Sequence, residues 1–217
     1  MTRPRQALTR NGPWMRVNHW ITGLCFVLLM LSGLAMFHPA LFFLSDLFDG
    51  GQSMRALHPW FGIVLVISFA GLVLQVWRDN RWRADDTTWL KGVRRVLVND
   101  EAGLPEVGRF NAGQKLVFWG FLLLVLVLLV SGLAIWEVYF FTTTSIATQR
   151  IALLIHSLAA IGIILAWIVH VYAALWIKGT MRAMLQGWVM PGWAWRHHRK
   201  WLRSLAETGS SGPRPKA

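Results

Sequence analysis

Residues 151–177 form an unbroken apolar stretch whose only acidic or basic side chains are His156 and His170. Because a bilayer span needs about 20 apolar residues, this stretch predicts a transmembrane helix. Helical geometry brings the two imidazoles within about 40° of one face and separates them by about 21 Å along the axis. An ionisable side chain has no partner in lipid, so both histidines indicate a functional site. The alternative is a pair of histidines that hydrogen-bond to neighbouring helices.

The composition of the 217-residue chain indicates a small polytopic membrane protein, because 55% hydrophobic residues are too many for a soluble domain of this size. The net charge of +12 does not predict nucleic-acid binding, since the basic residues cluster beside apolar segments, where they direct topology. The single cysteine, Cys25, lies in the first apolar segment. Because an intramolecular disulfide and a cysteine-bound iron–sulfur cluster both need more than one cysteine, this chain can form neither, and any clusters belong to partner subunits. We expect the first span to be retained, because no small-residue cleavage site follows it.

The hydropathy pattern predicts an all-α integral membrane protein, a four-transmembrane-helix bundle with spans at 17–37, 56–77, 116–136 and 151–177. Of the 22 basic residues, only Arg55 and Arg150 fall in the two loops on one side. The positive-inside rule therefore predicts that both termini and the 78–115 connection are cytoplasmic. We expect one domain over 1–205 and a flexible polar tail over 206–217.

The cytoplasmic connection contains an amphipathic segment at 86–98. Apolar Trp89, Leu90, Val93 and Leu97 fall on one side of a helix, roughly opposite Lys91, Arg94 and Arg95. This pattern predicts an interfacial helix that lies on an anionic leaflet. A surface helix packed on a partner protein explains it equally well.

Topology sorts the four membrane histidines by depth. His19 and His170 fall near the predicted cytoplasmic surface and form the inner pair, whereas His58 and His156 form the outer pair. Two neutral imidazoles facing each other are the ligands of a six-coordinate haem iron, which has no open position and therefore transfers electrons. Zinc is a poorer choice, because it needs three or four ligands at one point. The sequence thus predicts two haem b groups, held without covalent attachment.

Several other polar residues have weaker assignments. Arg16 and Arg55 could pair with haem propionates, although snorkelling to the membrane surface explains them equally well. His197 and His198 lie in a basic tail, where a solvated or lipid-facing position is expected.

The histidine layout, together with the segments WMRVNHW around His19, LHPWFG around His58 and GRFNAGQK at 108–115, resembles the gamma subunit of respiratory formate dehydrogenases. This family is a di-haem cytochrome b of the bacterial inner membrane, and the resemblance covers about residues 10 to 205. It implies an iron–sulfur beta subunit and a molybdenum- or tungsten-containing alpha subunit that oxidises formate. It leaves open a higher oligomer of this heterotrimer.

The resemblance also implies a route for electrons, from the iron–sulfur subunit to the outer haem, then to the inner haem and to quinone. As a subunit, the chain would perform the quinone-reducing step, with proton uptake from the cytoplasm. The matching quinone pocket contains Asn111, Gly113 and Gln114, near His170. Amide groups can hydrogen-bond quinone carbonyls. The residues alone favour an ordinary helix cap at Asn111.

Two alternatives remain open from the sequence. The histidine layout is shared with cytochrome b subunits of hydrogenases and other periplasmic oxidoreductases. A haem-free membrane anchor for catalytic subunits belongs to a different functional class. The quinone, menaquinone or ubiquinone, is not determined.

Overall fold

The structure is a computed structural model that describes residues 4–98, 100, 103–136 and 145–207, without the side chain of Leu97. The predicted loop position of Glu137 and residues 208–217 of the predicted tail lie outside the described residues. In chain order the elements are β1 (Leu8–Thr9), α1 (Pro13–Phe37), a 3-10 helix (Pro39–Phe48), α2 (Gly51–Val76), α3 (Ala84–Lys91), α4 (Val93–Leu97), α5 (Ala112–Ile135), α6 (Ile146–Trp176), α7 (Thr180–Leu185), β2 (Trp188–Val189), α8 (Pro191–His197) and α9 (Arg199–Glu207).

The four predicted spans are confirmed as α1, α2, α5 and α6, each long and apolar enough to cross a membrane. All four begin four or five residues earlier than the apolar pattern predicts. Polar caps explain part of the difference: the Ser145 hydroxyl accepts a hydrogen bond from the Thr148 amide at 3.2 Å, so that α6 starts before its apolar stretch.

The structure divides into two compact units, each assembled from stretches that are distant in sequence. The membrane unit comprises residues 17–74 and 119–171. Its core takes residues from all four long helices: Cys25 and Phe26 from α1, Leu65 from α2, Val125 from α5 and Ile163 from α6. The prediction of one domain over 1–205 stays a prediction.

The polar unit comprises the described residues of 1–16, 75–118 and 172–217. Its two short strands pair antiparallel, with Leu8 opposite Val189. Gly187 ends the turn before β2 with φ +86°, where a Cβ atom would lie 2.7 Å from the Asn11 carbonyl oxygen. Both the positive φ and the close backbone require glycine there. This strand pair adds a small β element to the predicted all-α fold.

The prediction of one continuous helix at 86–98 was wrong. The segment forms α3 and α4, which are separated at Gly92. A Cβ atom at Gly92 would lie 2.4 Å from Leu104 Cδ2, so the loop after α4 packs directly against this glycine. Trp89 is buried, whereas Arg94 and Arg95 are exposed, so the predicted two-sided character is present in the two shorter helices.

Candidate functional site

The structure brings the two histidines of the outer pair together in the membrane unit. His58 comes from the first half of α2 and His156 from the first half of α6. Their ring centroids are 6.4 Å apart, and the ring planes make an angle of 63°. The two histidines are 98 residues apart in the chain and face each other only because α2 and α6 pack around the same core.

The inner pair has nearly the same spacing. The His19 and His170 ring centroids are 6.2 Å apart, with an interplanar angle of 43°. The Phe121 ring packs edge-on against His170 at 5.8 Å, and Trp20 packs against His19 at 5.4 Å. Both predicted pairings by depth are thus present as close contacts, while the role of these histidines as ligands stays a prediction.

The spacing of both pairs fits one metal ion held between two imidazoles. Two metal–nitrogen bonds of about 2 Å, with roughly 1 Å from each nitrogen to its ring centre, place the centroids about 6 Å apart. Nδ1 of His19 is also buried and lacks a hydrogen-bond partner among the described residues. The donor set, two neutral imidazoles on opposite sides, is the one that a six-coordinate haem requires.

Each histidine of the outer pair contacts a serine on a neighbouring helix. The Ser32 hydroxyl on α1 lies 2.7 Å from His58 Nδ1. The Ser131 hydroxyl on α5 lies 3.0 Å from His156 Nδ1. These contacts occur entirely within the membrane unit, and Ser32 is fully buried.

A short internal repeat contains both serines, and it was not among the sequence predictions. The tetrapeptide Ser-Gly-Leu-Ala occurs twice, at 32–35 and at 131–134. In both copies the serine contacts a histidine of the outer pair, and the glycine lies under the same imidazole. A search for short internal repeats within the spans would have found this pattern.

The segment that was predicted to bind quinone forms a helix cap in the polar unit. The Gln114 amide nitrogen donates to Asn111 Oδ1 at 2.8 Å, and the Asn111 amide nitrogen donates to Gln114 Oε1 at 3.0 Å. This reciprocal arrangement is a capping box at the start of α5. Gly113 lies beside it, where a Cβ atom would be 3.4 Å from Asn111 Oδ1. The cap uses the two side-chain oxygens and leaves the amide NH₂ groups as the donors available to a ligand.

An open cleft adjoins this cap. Its lining includes Asn111 and Lys115, the aromatic residues Trp89 and Phe110, and the carboxyl groups of Asp79 and Asp86. The Lys115 ammonium group forms a buried ion pair with Asp86 at 2.7 Å. The cleft thus combines the amide group of Asn111 with aromatic surfaces and acidic groups within the polar unit.

The 108–110 segment is held by residues from both ends of the chain. The Arg10 guanidinium donates to the Arg109 carbonyl, and the Arg109 guanidinium donates to the Arg10 carbonyl at 3.1 Å. Arg10 also lies over the Trp201 ring, 4.5 Å from its centroid. His198 Nδ1 donates to the Gly108 carbonyl at 2.8 Å. We call these four residues, Arg10, Arg109, His198 and Trp201, the terminal clasp.

Two pKa shifts follow from burial in the terminal clasp. Burial, together with the nearby charge of Arg109, lowers the pKa of Arg10 to about 9, so the guanidinium stays protonated at neutral pH. Burial and the charge of Arg10 lower the pKa of His198 to about 3, so this imidazole is neutral. The expectation that His198 is solvated or lipid-facing was therefore wrong, because its ring is enclosed and hydrogen-bonded.

The flanking arginines differ in their surroundings. Arg16 Nη1 donates to the Leu185 carbonyl at 2.6 Å, which gives this side chain a structural partner within the polar unit. Arg55 is exposed at the start of α2, as expected of a residue that snorkels or meets a partner.

A comparison with known families decides the affiliation of the chain. The model of a family described as prokaryotic cytochrome b561 matches residues 10–187. The chain belongs to this family. Membership agrees with the four apolar helices and with the two facing imidazole pairs.

Three relatives in this family align with the chain over most of their length. It is 42% identical to the cytochrome b556(fdo) subunit of formate dehydrogenase from Escherichia coli K12, over 94% of this chain and 96% of the relative. It is 38% identical to the formate dehydrogenase cytochrome b556 subunit of Haemophilus influenzae, over 90% and 82%. It is 37% identical to the nitrate-inducible cytochrome b556(Fdn) subunit of formate dehydrogenase from E. coli K12, over 88% of each.

Proposed function

We propose that this chain is the membrane cytochrome b subunit of a formate dehydrogenase complex, and that it transfers electrons from an iron–sulfur partner subunit to quinone. The observation that carries the proposal is the pair of facing imidazoles at each of two levels, with centroid spacings of 6.2 and 6.4 Å. The formate dehydrogenase subunits that share 37–42% identity with the chain support the choice of complex. Formate oxidation itself would take place on another subunit.

The location follows from the four spans and the family. The chain is a multi-pass protein of the bacterial inner membrane. We place both termini in the cytoplasm, because Arg55 and Arg150 are the only basic residues of 22 in the two loops on the other side. Anionic lipids would then meet the exposed Arg94 and Arg95.

The four histidines would hold two haem b groups, with two neutral imidazoles for each group. A bis-imidazole haem supplies an iron that gains and loses one electron without binding substrate. The helices hold the imidazoles in pairs, exclude water from them and fix their separation. Electrons from the partner subunit would enter at the group held by the outer pair and leave from the group held by the inner pair, towards the cytoplasmic side.

We assign quinone binding to the cap at Asn111, Gly113 and Gln114. The amide NH₂ groups of Asn111 and Gln114 can donate to a quinone carbonyl, and donors already in position stabilise the charge that develops on reduction. The neighbouring cleft supplies the aromatic surfaces of Trp89 and Phe110. Its acidic side chains offer a path for protons from the cytoplasm.

We expect a pyridine haemochrome assay on the purified chain, normalised to protein concentration, to give two haems per chain. A reduced-minus-oxidised spectrum distinguishes a cytochrome from a haem-free anchor. Co-purification with an iron–sulfur subunit and a formate-oxidising subunit identifies the complex. A ratio of one haem per chain at full occupancy would contradict the pairing, and recovery of a hydrogenase subunit instead would contradict the choice of complex.

Loss of an amide donor at Gln114 or Asn111 is expected to slow reoxidation of the haems by quinone. A hydrogen bond to a charge-bearing group contributes about 1.5–3 kcal/mol, so Gln114→Leu or Asn111→Leu should reduce the rate about 10- to 100-fold. Both haems should stay bound and reducible from the donor side. Stopped-flow absorbance at limiting and saturating quinone measures the rate.

The acidic variants Gln114→Glu and Asn111→Asp separate quinone binding from helix capping. Each keeps the oxygen that accepts the cap hydrogen bond and removes the NH₂ donor. We expect quinone to reoxidise the haems slowly in these variants as well. Wild-type rates in the acidic variants, with slow rates only in the leucine variants, would show that the cap alone matters. Gln52→Leu, at an exposed site at the start of α2, is the control.

A further inference from the structure

The two Ser-Gly-Leu-Ala segments make the surroundings of the outer pair different from those of the inner pair. We infer that Ser32 and Ser131 are positioning residues that hold the imidazoles of His58 and His156 through their Nδ1–H groups and thereby set the outer haem at a lower redox potential than the inner haem. This inference rests on the proposed function, since it assumes that these histidines are haem ligands. It assigns a specific task to a repeated segment on α1 and α5.

Counting hydrogen atoms fixes the direction of the serine–histidine bonds. The Ser32 hydroxyl oxygen is 2.7 Å from the Leu28 carbonyl oxygen and 2.7 Å from His58 Nδ1. Both distances require a hydrogen atom between the two heavy atoms. A carbonyl supplies none and a hydroxyl supplies one, so the hydroxyl donates to Leu28 and the imidazole Nδ1–H donates to Ser32.

The same argument applies to the second copy. The Ser131 hydroxyl oxygen is 2.6 Å from the Val127 carbonyl oxygen and 3.0 Å from His156 Nδ1. Both histidines therefore carry the proton on Nδ1, and both keep the Nε2 lone pair for a metal ion.

The glycine that follows each serine lets the imidazole approach the helix. A Cβ atom at Gly33 would lie 3.6 Å from His58 Cε1, and one at Gly132 would lie 3.3 Å from His156 Cε1. Each ring is thus held at its Nδ1–H by a hydroxyl and at its adjacent carbon by a glycine backbone. The two copies provide the same support on opposite sides of the outer pair.

The inner pair lacks this support on at least one side. Nδ1 of His19 is buried without a hydrogen-bond partner among the residues that the structure describes. The His19 ring packs against the rings of Trp20 and His170. The difference between the pairs lies in the atoms beside the ligand ring, since the centroid spacings are almost equal.

A hydrogen bond from Nδ1–H makes the imidazole a stronger electron donor through Nε2. A stronger donor stabilises the oxidised, more positive iron and so lowers its reduction potential. With two such bonds on the outer pair, electron transfer from the outer to the inner pair is energetically downhill. The repeat thus favours the inward direction that the proposed function requires.

The test is a spectroelectrochemical titration of both haems in the whole chain. We expect Ser32→Ala and Ser131→Ala each to shift the outer-haem midpoint potential upward and the double variant to shift it further, while the inner-haem potential stays constant. Ser32→Thr and Ser131→Thr keep the hydroxyl and should return the potential towards the wild-type value. Ser68→Ala, which removes a buried membrane hydroxyl bonded to the Asn18 backbone, is the matched control and should leave the outer-haem potential unchanged.

The outcomes separate this inference from the proposed function. Unchanged potentials in the double variant, with both haems bound, would overturn the inference and leave the proposed function intact. Fewer than two haems in the wild-type chain would instead overturn the proposed function. If an alanine variant fails to retain the outer haem, the midpoint potentials of Ser32→Cys and Ser131→Cys decide between the two outcomes. Cysteine keeps the shape of the serine side chain, but its sulfur accepts hydrogen bonds only weakly. A raised potential in the cysteine variants supports the inference, and a wild-type potential overturns it.

Discussion

Replacing His58 or His156 with alanine is expected to remove the outer haem and to leave the inner one bound. Each haem depends on one ligand from each of two helices. The ring centroids are 6.2 Å apart in the inner pair and 6.4 Å apart in the outer pair. His19→Ala or His170→Ala should cause the complementary loss. Haemochrome content and the reduced-minus-oxidised spectrum of each purified variant measure the effect, which is the loss of about half of the bound haem.

His38→Asn is the control for this series. His38 is an exposed histidine at the start of the 3-10 helix, where its Nδ1 accepts a hydrogen bond from the Ala40 amide at 3.2 Å. Asparagine keeps a capping oxygen but cannot replace an axial imidazole. The assignment of pairs would be wrong if His19→Ala and His156→Ala gave one spectral loss while His58→Ala and His170→Ala gave the other.

Asp86→Ala is expected to destabilise the polar unit by about 3–5 kcal/mol, because it leaves a buried ammonium group without its counter-charge. The side chains of Lys115 and Asp86 are only 5% and 10% exposed, and their charged atoms are 2.7 Å apart. Asp86 also accepts a hydrogen bond from the Arg83 amide at the start of α3. Thermal unfolding of the detergent-solubilised chain, followed by circular dichroism, measures the loss.

The neighbouring residue provides a matched control. Asp85 lies in the same helical turn and pairs with Lys200 at 2.7 Å, but both side chains are about half exposed. The Lys200 hydrogen bond lowers the pKa of Asp85, yet an exposed pair adds little to stability. Asp85→Ala should therefore unfold close to the wild-type temperature. The double replacement Asp86→Leu with Lys115→Met should recover most of the loss, and equal effects of Asp85→Ala and Asp86→Ala would contradict the role of burial.

The spans and the histidine pairs could be predicted because their signals are strong in a single sequence. A bilayer fixes the length of an apolar helix, and a charged or ionisable residue inside it stands out. Alternation of helix direction then assigns each histidine to a depth, which is why the sequence predicts that His19 pairs with His170. Helix ends were less well predicted, since polar caps such as Ser145 extend helices beyond the apolar segment.

Contacts between distant segments could not be predicted in the same way. At the break between α3 and α4, Leu104 packs against Gly92 from a separate loop. The burial of His198 depends on Arg10, and nothing in the local sequence of a basic tail indicates that partner. The serine–histidine bonds of the outer pair were missed for a similar reason, because a serine in a span most often bonds its own helix. Here Ser32 and Ser131 do so and also accept from a neighbouring ring.

The terminal clasp has a consequence for biosynthesis. Arg10 leaves the ribosome early, whereas His198 and Trp201 are made after all four spans have been translated. Until then the Arg10 guanidinium has neither the tryptophan ring nor the histidine beside it. Closure of the polar unit therefore joins a segment made before the first span to segments made after the last one, so it cannot be completed until all four spans have been translated.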